Sequence, residues 1–163
     1  MNGALSKSLH DKVVAFEKLK QTAPIVIGNM ALNFFRSSFE NQGFTDNALM
    51  KWPEVQRRIP GTPEYKYPKK NAGDRHGRGI LIGLRTKGNG PHLRDSVNTS
   101  LKQTTWESIL FTVPQPYAAI HNYGLTMKNG DKMPQRQFMG NSVTLINMIT
   151  AYMIKQGATI RNI

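Results

Sequence analysis

The order of patterns along the chain predicts an α+β domain, with N-terminal helices and a C-terminal helix packed on a small antiparallel sheet and joined by long ordered loops. Three observations carry that prediction. Apolar residues recur every three or four positions over the first forty residues and again after Ser142. Between them, β-branched and aromatic residues alternate with polar ones up to Pro114. Helices first, strands next and a closing helix is the order of a helix-on-sheet domain.

Leu5, Leu9, Val13, Phe16 and Leu19 form the first helical pattern, which Thr22-Ala23-Pro24 interrupts, so the periodicity predicts two helices here. Pro24 suits the first turn of the second helix, and Ile27, Met30, Ala31, Phe34, Phe35 and Phe39 lie along one stripe of it. That stripe reads as core packing. From Thr45 to Gly79 the chain carries Pro53, Pro60, Pro63 and Pro68 with no sustained periodicity, which predicts an extended basic, proline-rich loop over about 45–79. The prolines reduce the freedom such a segment loses when it becomes ordered on a neighbour.

Gly79 to Leu84 is short and apolar, and fits a strand or a brief helix equally well. Pro91 opens a short helix in which Leu93 and Val97 form an i, i+4 pair. Thr104 to Val113 predicts a strand, paired with another near Asn98 to Lys102. Tyr117 to Tyr123 reads as a helical turn closed by Gly124, and Lys128-Asn129-Gly130-Asp131 as a tight turn between two short arms. Asn141-Ser142 caps a last helix whose face is Val143, Ile146, Ile149, Met153 and Tyr152, with Gly157 as its stop.

At 163 residues the chain fits one domain, 1–163, that folds without staples. It has no cysteine, which removes disulfide frameworks, thiolate zinc sites and cysteine nucleophiles and suits a reducing compartment. The N-terminus builds no unbroken apolar run of a signal peptide, and no stretch approaches the roughly 18 apolar residues of a membrane span. The expectation is a protein with no membrane partner.

Against 10 acidic residues stand 22 lysines and arginines, a net charge of +12. Between Arg57 and Arg94 lie ten bases (Arg57, Arg58, Lys66, Lys69, Lys70, Arg75, Arg78, Arg85, Lys87, Arg94) and two acids (Glu64, Asp74), so this window alone carries +8. A polyanion is one candidate partner for it, met through phosphates without sequence specificity; an acidic protein surface is the other.

The histidines His10, His76, His92 and His121 lack metal-ligand spacing, and no paired acids, HExxH or GxSxG are present. Gly77-Arg78-Gly79 and Gly88-Asn89-Gly90 lack the Lys-Ser/Thr of a phosphate-binding loop and read as turns. His121-Asn122 lacks the second histidine and the acids of a metal-dependent nuclease. No catalytic, metal or cofactor site is expected, and His121 is expected to make a structural hydrogen bond.

Two segments remain distinctive. Tyr117, Ala118, His121 and Gly124 form a YAxxHxxG element, and Pro134, Arg136 and Phe138 a PxRxF element just before the capped helix. Their order and spacing resemble the phage virion morphogenesis family, which includes tail-completion proteins of Mu-like phages and is similar to head-tail joining proteins of HK97-like phages. The aromatic helix ending at Phe39, then Trp52, then Leu93 to Val97, look like further parts of that pattern, so the resemblance spans about residues 30–155.

The resemblance implies a non-enzymatic virion protein, assembled in the host cytoplasm, that forms a homo-oligomeric ring of six copies at the neck. Its partners would be the portal or connector and the tail, with phage DNA passing through. It also implies packing roles: Tyr117, His121 and Tyr123 fix the loop leading from the sheet, Arg136 makes a charge-assisted bond to a carboxylate or to carbonyls, and Phe138 seats the last helix. Arg57, Arg58, Lys66, Lys69, Lys70, Arg75 and Arg78 would face DNA or dock on a partner.

Overall fold

In a computed structural model, residues 2–66, 78–82 and 92–163 are described, with side chains from residue 6 onward. The first element is one helix, α1, Asn2–Asn41, and Pro24 lies inside it. The expected break at Thr22 to Pro24 is therefore corrected. A proline inside a helix costs about 3 kcal/mol, whereas each fully buried Phe contributes roughly 1.5–3 kcal/mol. Leu19, Ala23, Ala31, Phe35 and Phe39 form an i, i+4 stripe that stays buried across the proline, so packing outweighs the local penalty.

Gln42, at φ 49°, turns the chain out of α1. Gly43–Thr45 (β1) and Leu49–Lys51 (β2) then pair antiparallel, with Phe44 opposite Met50. A Cβ on Gly43 would lie 2.5 Å from the Met50 carbonyl oxygen, so only glycine fits there. This hairpin lies at the start of the segment expected to be a loop. Three-residue strands are too short for alternation to register in sequence, and the hairpin is recognisable only by its pairing. A 3-10 turn at Gln56–Arg58 and the one-turn helix α2, Pro63–Lys66, follow.

Ile80 and Leu81 form a turn, while residues 83–84 of the apolar run lie outside the described residues. The short helix α3, Leu93–Asn98, is as expected, with Leu93 and Val97 fully buried. Leu101–Thr104 (β3) and Ile109–Phe111 (β4) pair antiparallel. The strand expected from Thr104 to Val113 is thus shorter, because Thr105 and Ser108 close a turn through a 2.8 Å backbone bond and their hydroxyls. Thr104 belongs to the partner strand.

The fold is α+β, and among the described residues the helices pack on two small two-stranded sheets rather than one. Helix α4, Ala118–Tyr123, ends at Gly124 in the left-handed region, φ 66°, as expected. A turn with Gly130 at φ 87° is flanked by a bridge between Thr126 and Lys132, again as expected.

Helix α5, Val143–Arg161, is capped by Ser142, whose hydroxyl accepts the Leu145 N–H at 3.1 Å. Two details differ from the sequence reading. Leu145 (7 % exposed) and Ile149 face the core, while Val143 (41 %) and Ile146 (55 %) point outward. Gly157 does not stop the helix; it sits at an exposed position, where the cost of glycine is only about 1 kcal/mol.

The core is aromatic. Phe39 meets Trp52 at 5.6 Å and Phe138 at 5.5 Å, and Phe35 meets Phe111 edge-on at 5.3 Å. Such pairs hold α1 to Trp52 after β2, to β4 and to the loop before α5 through directional contacts as well as buried area.

Candidate functional site

The two distinctive sequence elements fold against each other. The Arg136 backbone N–H donates to the His121 carbonyl at 2.7 Å, laying the segment that precedes α5 along the C-terminal turn of α4. Gly124 makes the approach possible, since a Cβ there would lie 2.9 Å from Cβ of Gln135.

Asn122 is the principal clamp. Its buried Oδ1 accepts the Phe138 and Met139 N–H groups at 2.9 and 3.1 Å, and its Nδ2 donates to the Met139 carbonyl at 3.1 Å. Sequence reasoning gave this role to its neighbours Tyr117, His121 and Tyr123, and missed Asn122. Tyr123 is 65 % exposed, and the available signal was the bare presence of an amide side chain in a short apolar helix.

Arg136 is 5 % exposed. Its Nε donates to the Pro53 carbonyl at 3.1 Å and its Nη2 to the Glu54 carbonyl at 3.2 Å, which ties the proline-rich segment to this site. Of the two expected acceptors, carbonyls are the ones engaged. Nη1 faces the Met133 sulfur at 3.8 Å. Burial lowers the guanidinium pKa from its ordinary value, and the Glu54 charge partly counters that.

Trp52 adds a further strut, its indole N–H donating to the Gln137 carbonyl at 2.6 Å. Phe138 is buried beneath Phe39, Ala118 is buried beside it, and Pro134 is exposed.

His121 is expected to make a structural hydrogen bond; its backbone carbonyl is engaged, while its Nδ1 is buried with no hydrogen-bond partner. Burial, reinforced by the nearby Arg136 charge, lowers its pKa. The Tyr117 ring stands edge-on to it at 6.0 Å. Both rings line a cleft of about 320 Å³ together with His92, Arg57 and Arg136, and His92 Nε2 is likewise buried and unpartnered.

The basic residues divide. Arg57 donates to the carbonyls of Arg78 and Gly79 at 3.2 and 2.9 Å. Arg58 donates to the Gln42 side chain at 2.8 Å and lies 3.5 Å from Glu54. Both therefore brace the segment internally. Lys66 is exposed and Arg78 half-buried, while Lys69, Lys70 and Arg75 lie outside the described residues. Among the described residues no group of three His, Cys, Asp or Glu side chains is placed to hold a metal ion. No helix among them is long and apolar enough to cross a membrane.

No family model, curated protein or solved structure matches this chain.

Proposed function

We propose that this chain is a structural subunit of a tailed-phage virion, assembling with copies of itself into a ring at the head-tail interface, as a tail-completion or neck-joining protein. One observation carries the reading. The Tyr117–Gly124 and Pro134–Phe138 elements, which resemble a virion-morphogenesis pattern by spacing alone, form a single clamp through Arg136 and Asn122. Two separated motifs that keep their spacing because they brace one loop are what a subunit with rigid protruding loops requires.

The surface supports the same reading. Leu9, Val13, Val14 and Phe16 are exposed along α1, and Tyr117, Tyr123 and Ile146 are exposed on the body. A ring uses heterologous contacts, in which two different patches of each subunit meet, and this chain presents apolar groups on separate elements. The neighbouring partners are the portal or connector and the tail, and we assign the chain no catalytic step.

The test is cryo-electron microscopy of virions from the phage that encodes this chain. Density for it as a symmetric ring between portal and tail is the expected result, and mature virions lacking it would overturn the proposal. Non-sequence-specific nucleic-acid binding is a second reading, favoured by the net charge of +12. It requires the isolated protein to shift duplex DNA of unrelated sequences alike, with affinity falling steeply as salt rises.

A further inference from the structure

The cleft between α4, the start of α3 and the segment around Leu81 has a composition that an internal role does not explain. Its walls are Val55, Leu81, Ile82 and Leu93, and its polar lining is His92, His121, Tyr117 and the two guanidinium groups of Arg57 and Arg136. Among the described residues no carboxylate lines it. Folding normally partners buried polar atoms, and an unsatisfied one costs on the order of 1–3 kcal/mol. Here two imidazole nitrogens, His121 Nδ1 and His92 Nε2, are buried without partners at one cleft.

Two further features point the same way. The Arg136 guanidinium is buried on carbonyl oxygens, the Glu54 charge offsets that burial only in part, and its Nη1 faces the Met133 thioether. Leu81 holds φ 59°, a conformation that costs an L-residue roughly 1–2 kcal/mol, on the wall of this same cleft. Unpartnered imidazole nitrogens, a buried guanidinium with its charge only partly balanced, and local strain thus coincide.

We propose that this cleft is a carboxylate-binding site that receives an acidic group carried on a short aliphatic stem, with His121, His92 and Arg136 as its donors. A neutral imidazole can present an N–H from either nitrogen, so both histidines can donate without first being protonated. A carboxylate would add to the partial balance that Glu54 gives Arg136 and accept from the imidazoles, while the aliphatic walls cover the stem. The apolar lining disfavours phosphate, because a doubly charged, strongly hydrated anion loses more on desolvation than a carboxylate does. The inference rests on the cleft alone and is independent of the ring reading.

The test uses the full-length protein at constant pH and ionic strength, following the imidazole resonances of His121 and His92 by NMR. Sodium propionate, N-acetyl-glutamate amide and inorganic phosphate are titrated separately. The expected result is saturable shifts of both imidazoles with a carboxylate, half-complete by roughly 1–10 mM, a weak-ligand range. Phosphate is expected to cause no saturable shift.

Binding of the glutamate derivative at least as tightly as propionate assigns the site to an acidic side chain of a protein partner, and propionate alone assigns it to a free short acid. His121→Phe or His92→Gln, each checked by circular dichroism for an unchanged fold, should weaken binding tenfold or more. Linear drift with every salt, identical responses to phosphate and carboxylate, or undiminished binding in a folded variant overturns the proposal.

Discussion

The Asp46 carbonyl accepts both the backbone N–H of Thr144, at 3.1 Å, and the Thr144 hydroxyl, although 98 residues separate the two. The Asp46 carboxylate accepts the Val143 N–H at 2.8 Å. The turn between β1 and β2 therefore caps α5 from outside, beside the helix's own cap at Ser142. Helix N–H groups left without acceptors are the vulnerable part of any helix start, and here a distant hairpin supplies them.

Replacing Asp46 by Ala removes the carboxylate contact and leaves the carbonyl ones. The expected loss is about 1 kcal/mol in urea unfolding, with Asp46→Asn close to the parent. Combining it with Ser142→Ala should cost more than the two single losses together if the caps compensate for one another, which a double-mutant cycle reads directly.

Asn122→Leu keeps the branched shape and strips three hydrogen bonds from the Phe138 and Met139 backbone. The groups left behind are buried, so the expected destabilisation is roughly 2–4 kcal/mol. Tyr123→Ala, one position further on and mostly exposed, should change stability by no more than about 0.5 kcal/mol. A comparison of denaturation midpoints for the two variants separates the clamp from its neighbour.

Stability should fall as the medium is acidified through the ordinary histidine range. Burial, together with the Arg136 charge, lowers the His121 pKa, so the folded protein holds this ring neutral where the unfolded chain protonates it. The unfolded state then binds more protons below about pH 6.5, and stability drops from there until the folded pKa is reached. Above that window the group contributes no slope. His121→Gln should flatten this part of a stability-versus-pH curve measured by denaturant titration.

Gly157→Ala should stabilise the protein by up to about 1 kcal/mol in the same assay. The position is helical, a Cβ there meets nothing within 4 Å, and glycine pays a larger entropy cost on folding than alanine.

The same glycine illustrates what sequence could and could not reveal. As punctuation, Gly157 looked like a stop, yet nothing at that exposed position requires the helix to end. Pro24 misled in the same way, because a buried stripe running through a helix is visible only when both of its ends are seen packed. Where a signal was local and sufficient, it was legible: Ser142 as a cap, Gly124 and Gly130 as left-handed turn positions, Leu93 with Val97 as one buried face. The α+β class followed from the order of such segments.

The candidate site was legible in part. Arg136 and Phe138 stood out by type and spacing, and carbonyls were among the partners expected for the guanidinium. The Asn122 clamp, the Asp46 cap and the cleft with its two unpartnered imidazoles were not legible, since each depends on which distant backbone groups come within about 3 Å. Sequence spacing carries no information about that.

From Ser6 to Lys18 no side chain of α1 is buried, though the helix runs on unbroken. The Phe16 ring meets Trp106 edge-on at 6.1 Å, so packing reaches that far; the turns before it are only marginally helical in water by themselves, and their winding is propagated from the packed part. The arm is thus held from its packed side like a diving board, and each turn further out stays wound only as long as the one before it does. Amide exchange along it should accelerate toward Ser6 in the isolated subunit and slow sharply wherever a neighbour covers Leu9 and Val13, which makes this helix a built-in gauge of assembly.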